Sequence, residues 1–204
     1  MNEENSVKNI ILNGLLKRNP ILISGTVIAP VAVAANCLSN AVTLAAAFSV
    51  ITFFTLLVTS FVPKNIVYSI RIILYIFIGA LVYAPSAIMF NYFMPEQIDA
   101  LGVFFPLLIA NGMIIYRSEA IFFQESKGHM IIDIIFSIIG YDLAVIFYGF
   151  IREILGRGTV WGTIIGMPVT FPALDTTFGG FMLLGVMAAL MRVIVLTVKR
   201  MGQK

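Results

Sequence analysis

Gly102-Val-Phe-Phe-Pro106-Leu-Leu-Ile-Ala-Asn111-Gly112-Met-Ile-Ile-Tyr-Arg117-Ser-Glu119 is the stretch on which the reading of this chain turns. Its apolar run, from Ala100 to Tyr116, would rise roughly 26 Å as a helix, short of the roughly 30 Å hydrocarbon core of a bilayer. Pro106 has no N–H, so in a helix the carbonyl of Gly102 loses its donor, and Asn111-Gly112 permits a second local unwinding. Unpaired backbone at membrane depth is tolerated only where protein or a water-filled cavity covers it. The stretch is expected to be a broken span and a candidate site, not a lipid-facing wall.

Composition supports a membrane setting. The 204 residues are 60% hydrophobic and 11% charged, far from the about 25% charged residues of a soluble domain. We expect an all-α integral membrane protein, a single membrane domain over residues 1–204. No removable signal peptide is expected, because Glu3, Glu4, Lys8, Lys17 and Arg18 interrupt the region before Pro20. The one cysteine, Cys37, excludes an internal disulfide and a four-cysteine metal site within this chain. The net charge of +3 is spread between apolar runs, which argues for membrane topology and against a nucleic-acid partner.

From residue 19 to residue 63 there is no Asp, Glu, Lys or Arg. That is about twice the roughly 20 residues that one crossing needs, so two segments are packed there. The most polar pentad, Asn36 to Asn40, is the expected turn. It separates a short segment, Pro20 to Ala35, broken by Gly25 and Pro30, from a full-length one, Ala41 to Val62. A third segment follows at Ile66 to Tyr92, closed by Asn91, Pro95, Glu96 and Asp99. The broken fourth comes next, then a polar connector from Arg117 to His129, a fifth segment at Ile131 to Ile151 and a sixth at Phe178 to Val198. Six transmembrane helices put both termini on one side. If that side is the cytoplasm it holds eleven of the thirteen Lys and Arg residues, leaving Arg152 and Arg157 outside, as the positive-inside rule requires. The expected location is therefore the inner, cytoplasmic membrane. The exterior loop, Arg152 to Thr177, carries the single Trp161, a candidate interfacial anchor.

Three segments on each side of Pro95 make two repeats, about 19–93 and 98–198, and an odd number of segments per repeat inverts the second. Each repeat begins with the short, proline-broken segment: Ala29-Pro30-Val-Ala-Val-Ala-Ala-Asn36 and Phe105-Pro106-Leu-Leu-Ile-Ala-Asn111. Such matched breaks point to a site at the membrane midplane. There the carbonyls of Thr26 and Gly102 are expected to face each other, with Gly112 part of the same broken backbone.

Asp142 lies nine residues beyond Asp133, roughly 14 Å along a helix, near mid-bilayer. An intramembrane carboxylate is by default a functional-site hypothesis, and the sequence leaves open an ion or proton relay and a neutral, hydrogen-bonded acid. Glu153 shares nearly the same helix face as Asp142, which suits a cation path or two unrelated capping groups. Asp133 and Arg192, near the cytoplasmic ends of the fifth and sixth segments, are candidates for a structural salt bridge between antiparallel helices, with snorkelling to the interface the other reading of Arg192 and the role of Asp133 left open. Arg117 and Glu119 are expected in solvent, and His129 in an exposed loop. No Gly-rich phosphate loop, catalytic triad or His/Cys cluster is present, so no catalytic residue and no metal ligand is assigned.

Four motifs in order, Gly14-Leu-Leu-Lys-Arg-Asn-Pro20, Leu101 to Asn111, Arg117-Ser-Glu-Ala120 and Arg152-Glu-Ile-Leu-Gly-Arg-Gly-Thr159, give the chain its resemblance to a family. It resembles the Rnf/Nqr membrane-subunit family, most of all its RnfE/NqrD branch. The resemblance implies a pair of homologous six-helix subunits within a redox-driven complex that moves Na⁺ or H⁺. It implies half-helices that bring cysteines to an intramembrane [2Fe-2S] cluster, with flavins carried by sister subunits at a Ser/Asp-Gly-Ala-Thr motif that this chain lacks. At the two cluster positions this chain has Ala29 and Gly112 in place of Cys. Cluster ligation needs thiolates, so no cofactor is expected in this chain, and Cys37 is read as a small buried hydrophobe.

The expectation is a non-autonomous membrane subunit of an Rnf/Nqr-type electron-transport, ion-translocating complex. Its ion path would use Asp142, Asp133, Asn111, Asn36 and Glu153, and its partners would be a homologous six-helix chain, other subunits and lipid. The alternative is a stand-alone small-solute permease on the same scaffold.

Overall fold

The computed structural model describes residues 21, 25, 27–63, 65–120 and 127–201. Its helices are α1 (Ile28–Ala34), α2 (Leu38–Thr59), α3 (Tyr68–Phe93), α4 (Pro95–Leu101), α5 (Gly112–Ala120), α6 (Lys127–Arg157) and α7 (Thr177–Met201). Short 3₁₀ turns at Gly102–Phe104 and Pro106–Ala110 link α4 to α5. A two-stranded hairpin, β1 (Thr159–Val160) and β2 (Thr163–Ile164), and a turn at Pro172–Asp175 link α6 to α7.

Among the described residues α2, α3, α6 and α7 are long and apolar enough to cross a membrane, and the bent pair around Phe105 makes a fifth span if counted as one. Six spans were expected. The first expected segment, residues 20–35, is represented by the seven residues of α1, and Thr26 lies outside the described residues. The turn after it comes earlier than expected, at residues 35–37, and α2 starts at Leu38. Pro30 is the third residue of α1, where its missing N–H has no intrahelical acceptor to lose.

The centre of the bundle is the antiparallel pair α2 and α6. Half or more of the apolar window of each is buried, against 17% for α3 and 22% for α7, whose outer faces carry exposed Ile, Leu, Phe and Val. The pair is this close because Gly149 of α6 has no side chain: a Cβ there would lie 2.4 Å from that of Ala41. Phe48 of α2 stacks on Tyr141 of α6, with ring centroids 3.5 Å apart. Lipid tails are as apolar as Leu, so small-residue contacts and interhelical hydrogen bonds, about 0.6 kcal/mol each, hold such a pair together.

α3 packs on α2 and runs on through Pro85, an interruption not among the expected breaks, which frees the carbonyl of Leu81. α7 is held by α1 and the Pro172–Asp175 turn more than by α6. Gly180 makes that approach possible, since a Cβ there would meet the carbonyl oxygen of Ala32 at 2.5 Å.

Candidate functional site at the helix break

The stretch from Gly102 to Asn111 is broken as expected, but its backbone is largely re-satisfied. Gly102 takes φ +50°, a conformation that glycine adopts without a Cβ clash. Its carbonyl was expected to be free, and instead accepts from the N–H of Phe105 at 3.2 Å. The 3₁₀ turn supplies an i+3 donor where Pro106 removes the i+4 one. The segments on either side of the break meet at 50°. Asn111 is extended, 4% exposed, and caps both sides. Its Oδ1 accepts from the N–H of Ile114 at 3.0 Å, while its Nδ2 donates to the carbonyl of Leu108 at 2.9 Å and to Thr52 Oγ1 at 3.2 Å.

Protein covers the break. Tyr83 and Phe90 of α3 contact the ring of Phe105. Gly79 brings the α3 backbone against the carbonyl of Ile109, where an added Cβ would sit 2.9 Å from the oxygen. α1 packs against the Gly102–Phe104 turn, so the two proline-bearing segments do meet. Val103, Leu107 and Ile28 are exposed beside them.

A polar seam runs from the break along α2, α5 and α6. Beside it, on another face of α6, Ser49 Oγ donates to Asp142 Oδ2 at 2.6 Å, and Asp142 Oδ1 has no partner among the described residues. Thr59 and Ser118 share a hydrogen bond of 3.0 Å. Asp133 pairs with Arg117, and both are buried. This corrects two expectations, for Arg192 is exposed and pairs with no acid among the described residues, and Arg117 is not in solvent. Glu119 is not solvated either. Arg71 grips it with two nitrogens at 2.6 and 2.8 Å, and Tyr75 donates to it at 2.7 Å. Arg117 and Glu119 are two residues apart on a helix, so they face different neighbours.

At the opposite end of α6, Arg152 and Glu153 tie the outer elements together. Arg152, 1% exposed, donates to the carbonyls of Ala32 (2.7 Å), Leu174 (2.8 Å), Asp175 (3.1 Å) and Thr176 (3.0 Å). A planar five-donor guanidinium suits four divergent acceptors, and its charge complements the carboxyl end of α1. Glu153 accepts from the N–H of Leu38 at 2.7 Å through Oε2, and from Gly162 N–H (2.8 Å) and Thr159 Oγ1 (3.0 Å) through Oε1. α2 has no side-chain cap of its own, so Glu153 supplies one from α6. The hairpin turn that it holds consists of Trp161 and Gly162, both at positive φ, and Trp161 is 58% exposed. Asn36 sits at this end too, its Oδ1 accepting from Asn40. Thus Asp133 and Asn111 lie along one seam, Asp142, about half a turn around α6 from Asp133, meets Ser49 on another face of that helix, and Glu153 and Asn36 belong to the α1–α2 corner.

Two sets of seam residues are not singled out by the sequence: Thr52, Thr55 and Thr59 on α2, and Ser137 and Tyr141 beside Asp133 on α6. Their spacing is visible as polar positions recurring on one helix face, but hydroxyl residues are common in membrane helices and carry no charge to flag them.

The Rnf-Nqr subunit family, described as membrane proteins, matches residues 7–191 of this chain. The chain belongs to that family. Among its relatives are proteins named as the E subunit of an ion-translocating oxidoreductase complex. That of Haemophilus ducreyi is 28% identical over 84% of this chain and 71% of its own length. That of Pasteurella multocida is 29% identical over 92% and 90%, and that of Glaesserella parasuis 30% identical over 76% and 67%. Ala29 and Gly112 of this Rnf-Nqr chain stand where the resemblance implies cluster cysteines. Ala29 lies exposed on the first turn of α1 and Gly112 opens α5. A methyl group and a hydrogen offer iron no donor, so these residues do not fit a thiolate-held cluster. Cys37 flanks the start of α2, partly buried.

Proposed function

We propose that this Rnf-Nqr chain is a membrane subunit of an ion-translocating oxidoreductase complex, that it carries no iron–sulfur cluster of its own, and that its ion path uses Asp142, Asp133 and Asn111. The observation that carries the function is the match over most of the chain to proteins named as the E subunit of such a complex. Nothing in those names favours a solitary permease. The two acids inside the bundle support the path, because an ionisable group within a membrane span is by default a candidate for function. Glu153 and Asn36 stand at its outer corner.

The inverted repeat belongs to the same proposal, with both termini cytoplasmic and a homologous six-helix chain as partner. It is supported by the antiparallel course of α2 and α6, the second members of the two triplets, and by the contact between α1 and the Gly102–Phe104 turn. The exposed Ile28, Val103 and Leu107 make an apolar face on which the partner would close.

The test is redox-driven ion uptake by membrane vesicles holding the assembled complex. Asp142→Asn keeps an acceptor for Ser49 and removes only the ionisable group, so uptake should fall several-fold while assembly persists. Asp133→Asn should lower uptake as well, with some loss of stability from its unpaired arginine. Undiminished uptake in both variants would refute the path.

A further inference from the structure

Four buried polar atoms at the seam between α2, α5 and α6 have no hydrogen-bond partner among the described residues: Thr55 Oγ1, Ser137 Oγ, Tyr141 Oη and Arg117 Nε. Their neighbours locate them. On α2, Thr55 lies between Thr52, bonded to Asn111, and Thr59, bonded to Ser118. On α6, Ser137 lies between Asp133, paired with Arg117, and Tyr141, stacked on Phe48. The intervals 52, 55, 59 and 133, 137, 141 each stay on one helix face. The orphaned groups therefore occupy the middle of a seam that direct hydrogen bonds close at both ends.

An unsatisfied polar group in a bilayer interior is costly, and native proteins leave only a few, each with a reason. Water is the ligand that fits, since a buried water typically makes about three hydrogen bonds to otherwise unpaired groups. A metal cation is disfavoured. It would need oxygen ligands with net negative charge, and Asp133 is neutralised by Arg117 while Asp142 lies about half a turn around α6, against Ser49.

We propose that the seam holds a file of internal water molecules, hydrogen-bonded to Thr55, Ser137, Tyr141 and the Nε of Arg117, which passes protons between the Arg117–Asp133 pair and the helix break at Asn111. Each water accepts one proton and releases another to the next oxygen, so the file is regenerated once its hydrogen bonds reorient. The transport role rests on the ion-translocating function proposed above. The waters themselves do not.

The experiment is X-ray hydroxyl-radical footprinting of the assembled complex, read by mass spectrometry. Radicals born from internal water label side chains that bulk solvent cannot reach. Tyr141 and Tyr148 are both 0% exposed on the same helix, but Tyr148 has its hydroxyl bonded to the carbonyl of Gly180 at 2.9 Å. Tyr141 should be labelled several-fold more than Tyr148. The Thr55→Val/Ser137→Ala double variant should lower both that labelling and redox-driven proton uptake into vesicles several-fold. Equal labelling of the two tyrosines overturns the proposal, as does full proton uptake by the double variant or sodium uptake without proton movement. Strong labelling of Tyr141 in a complex whose Asp142→Asn variant transports normally would instead sink the path through Asp142 and leave the waters in place.

Discussion

Arg152 shows how one side chain substitutes for several missing backbone partners. The last carbonyls of a helix have no intrahelical donor, and the 3₁₀ turn before α7 leaves more of them buried. Arg152 meets three such carbonyls, of Ala32, Leu174 and Asp175, with one guanidinium, and shares the carbonyl of Thr176 with the N–H of Gly180. Arg152→Lys should therefore behave as a loss, because an ammonium cannot reach such divergent acceptors. With each orphaned buried acceptor costing about 1–3 kcal/mol, the melting temperature of the detergent-purified protein should drop clearly, whereas Arg192→Lys, on an exposed residue, should leave it unchanged. The Arg117–Asp133 pair obeys a different rule. Arg117→Met strands a buried carboxylate and should destabilise by about 3–5 kcal/mol, while Arg117→Met with Asp133→Leu should recover much of that loss. Chemical denaturation of the three proteins side by side checks the ordering. The sequence points to Asp133 as needing a partner, but suggests Arg192, since both stand near the same end of their segments. Which arginine faces it depends on how α5 is rotated, and the break at Asn111 sets that.

At the scale of elements, the close approach of α2 and α6 hangs on one absent side chain. Gly149→Ala would drive a methyl into Ala41, and overpacking of this kind costs about 1–3 kcal/mol. Ala41→Gly in the same molecule should restore stability, a coupling that a double-mutant cycle of thermal unfolding would read directly. Failure of the rescue would mean that the helices are not held at this contact. Gly102 makes the complementary case. Nothing lies within 4 Å of its missing Cβ, but φ is +50°, so Gly102→Ala should cost about 1–3 kcal/mol through backbone strain alone. The same melts would show it, with no partner substitution able to repair it. The break itself was legible from Pro106 and Asn111-Gly112. Its repair was not, because a 3₁₀ donor from Phe105 and the double cap by Asn111 depend on backbone angles that composition does not specify.

For the whole molecule, the central pair carries the charged and hydroxyl-bearing seam while α3 and α7 present apolar faces outward, an arrangement suited to a chain that works among other membrane subunits. Iron bound to the purified protein should be unaffected by Cys37→Ser, as measured by elemental analysis and the visible absorption spectrum. Iron that vanishes with that substitution would restore a cluster that Ala29 and Gly112 cannot hold. Long uncharged runs, misplaced prolines and isolated acids were enough to establish a helical membrane protein with a broken span, because burial of an unpaired backbone or a charge in hydrocarbon is so costly that few alternatives survive. Tertiary structure alone decided the partners: Arg117 for Asp133, Arg71 for Glu119, Leu38 and the hairpin for Glu153, four carbonyls for Arg152. Hydrogen bonds reach only about 3 Å, so a small rotation of one helix exchanges a partner without changing a single feature of the hydropathy pattern.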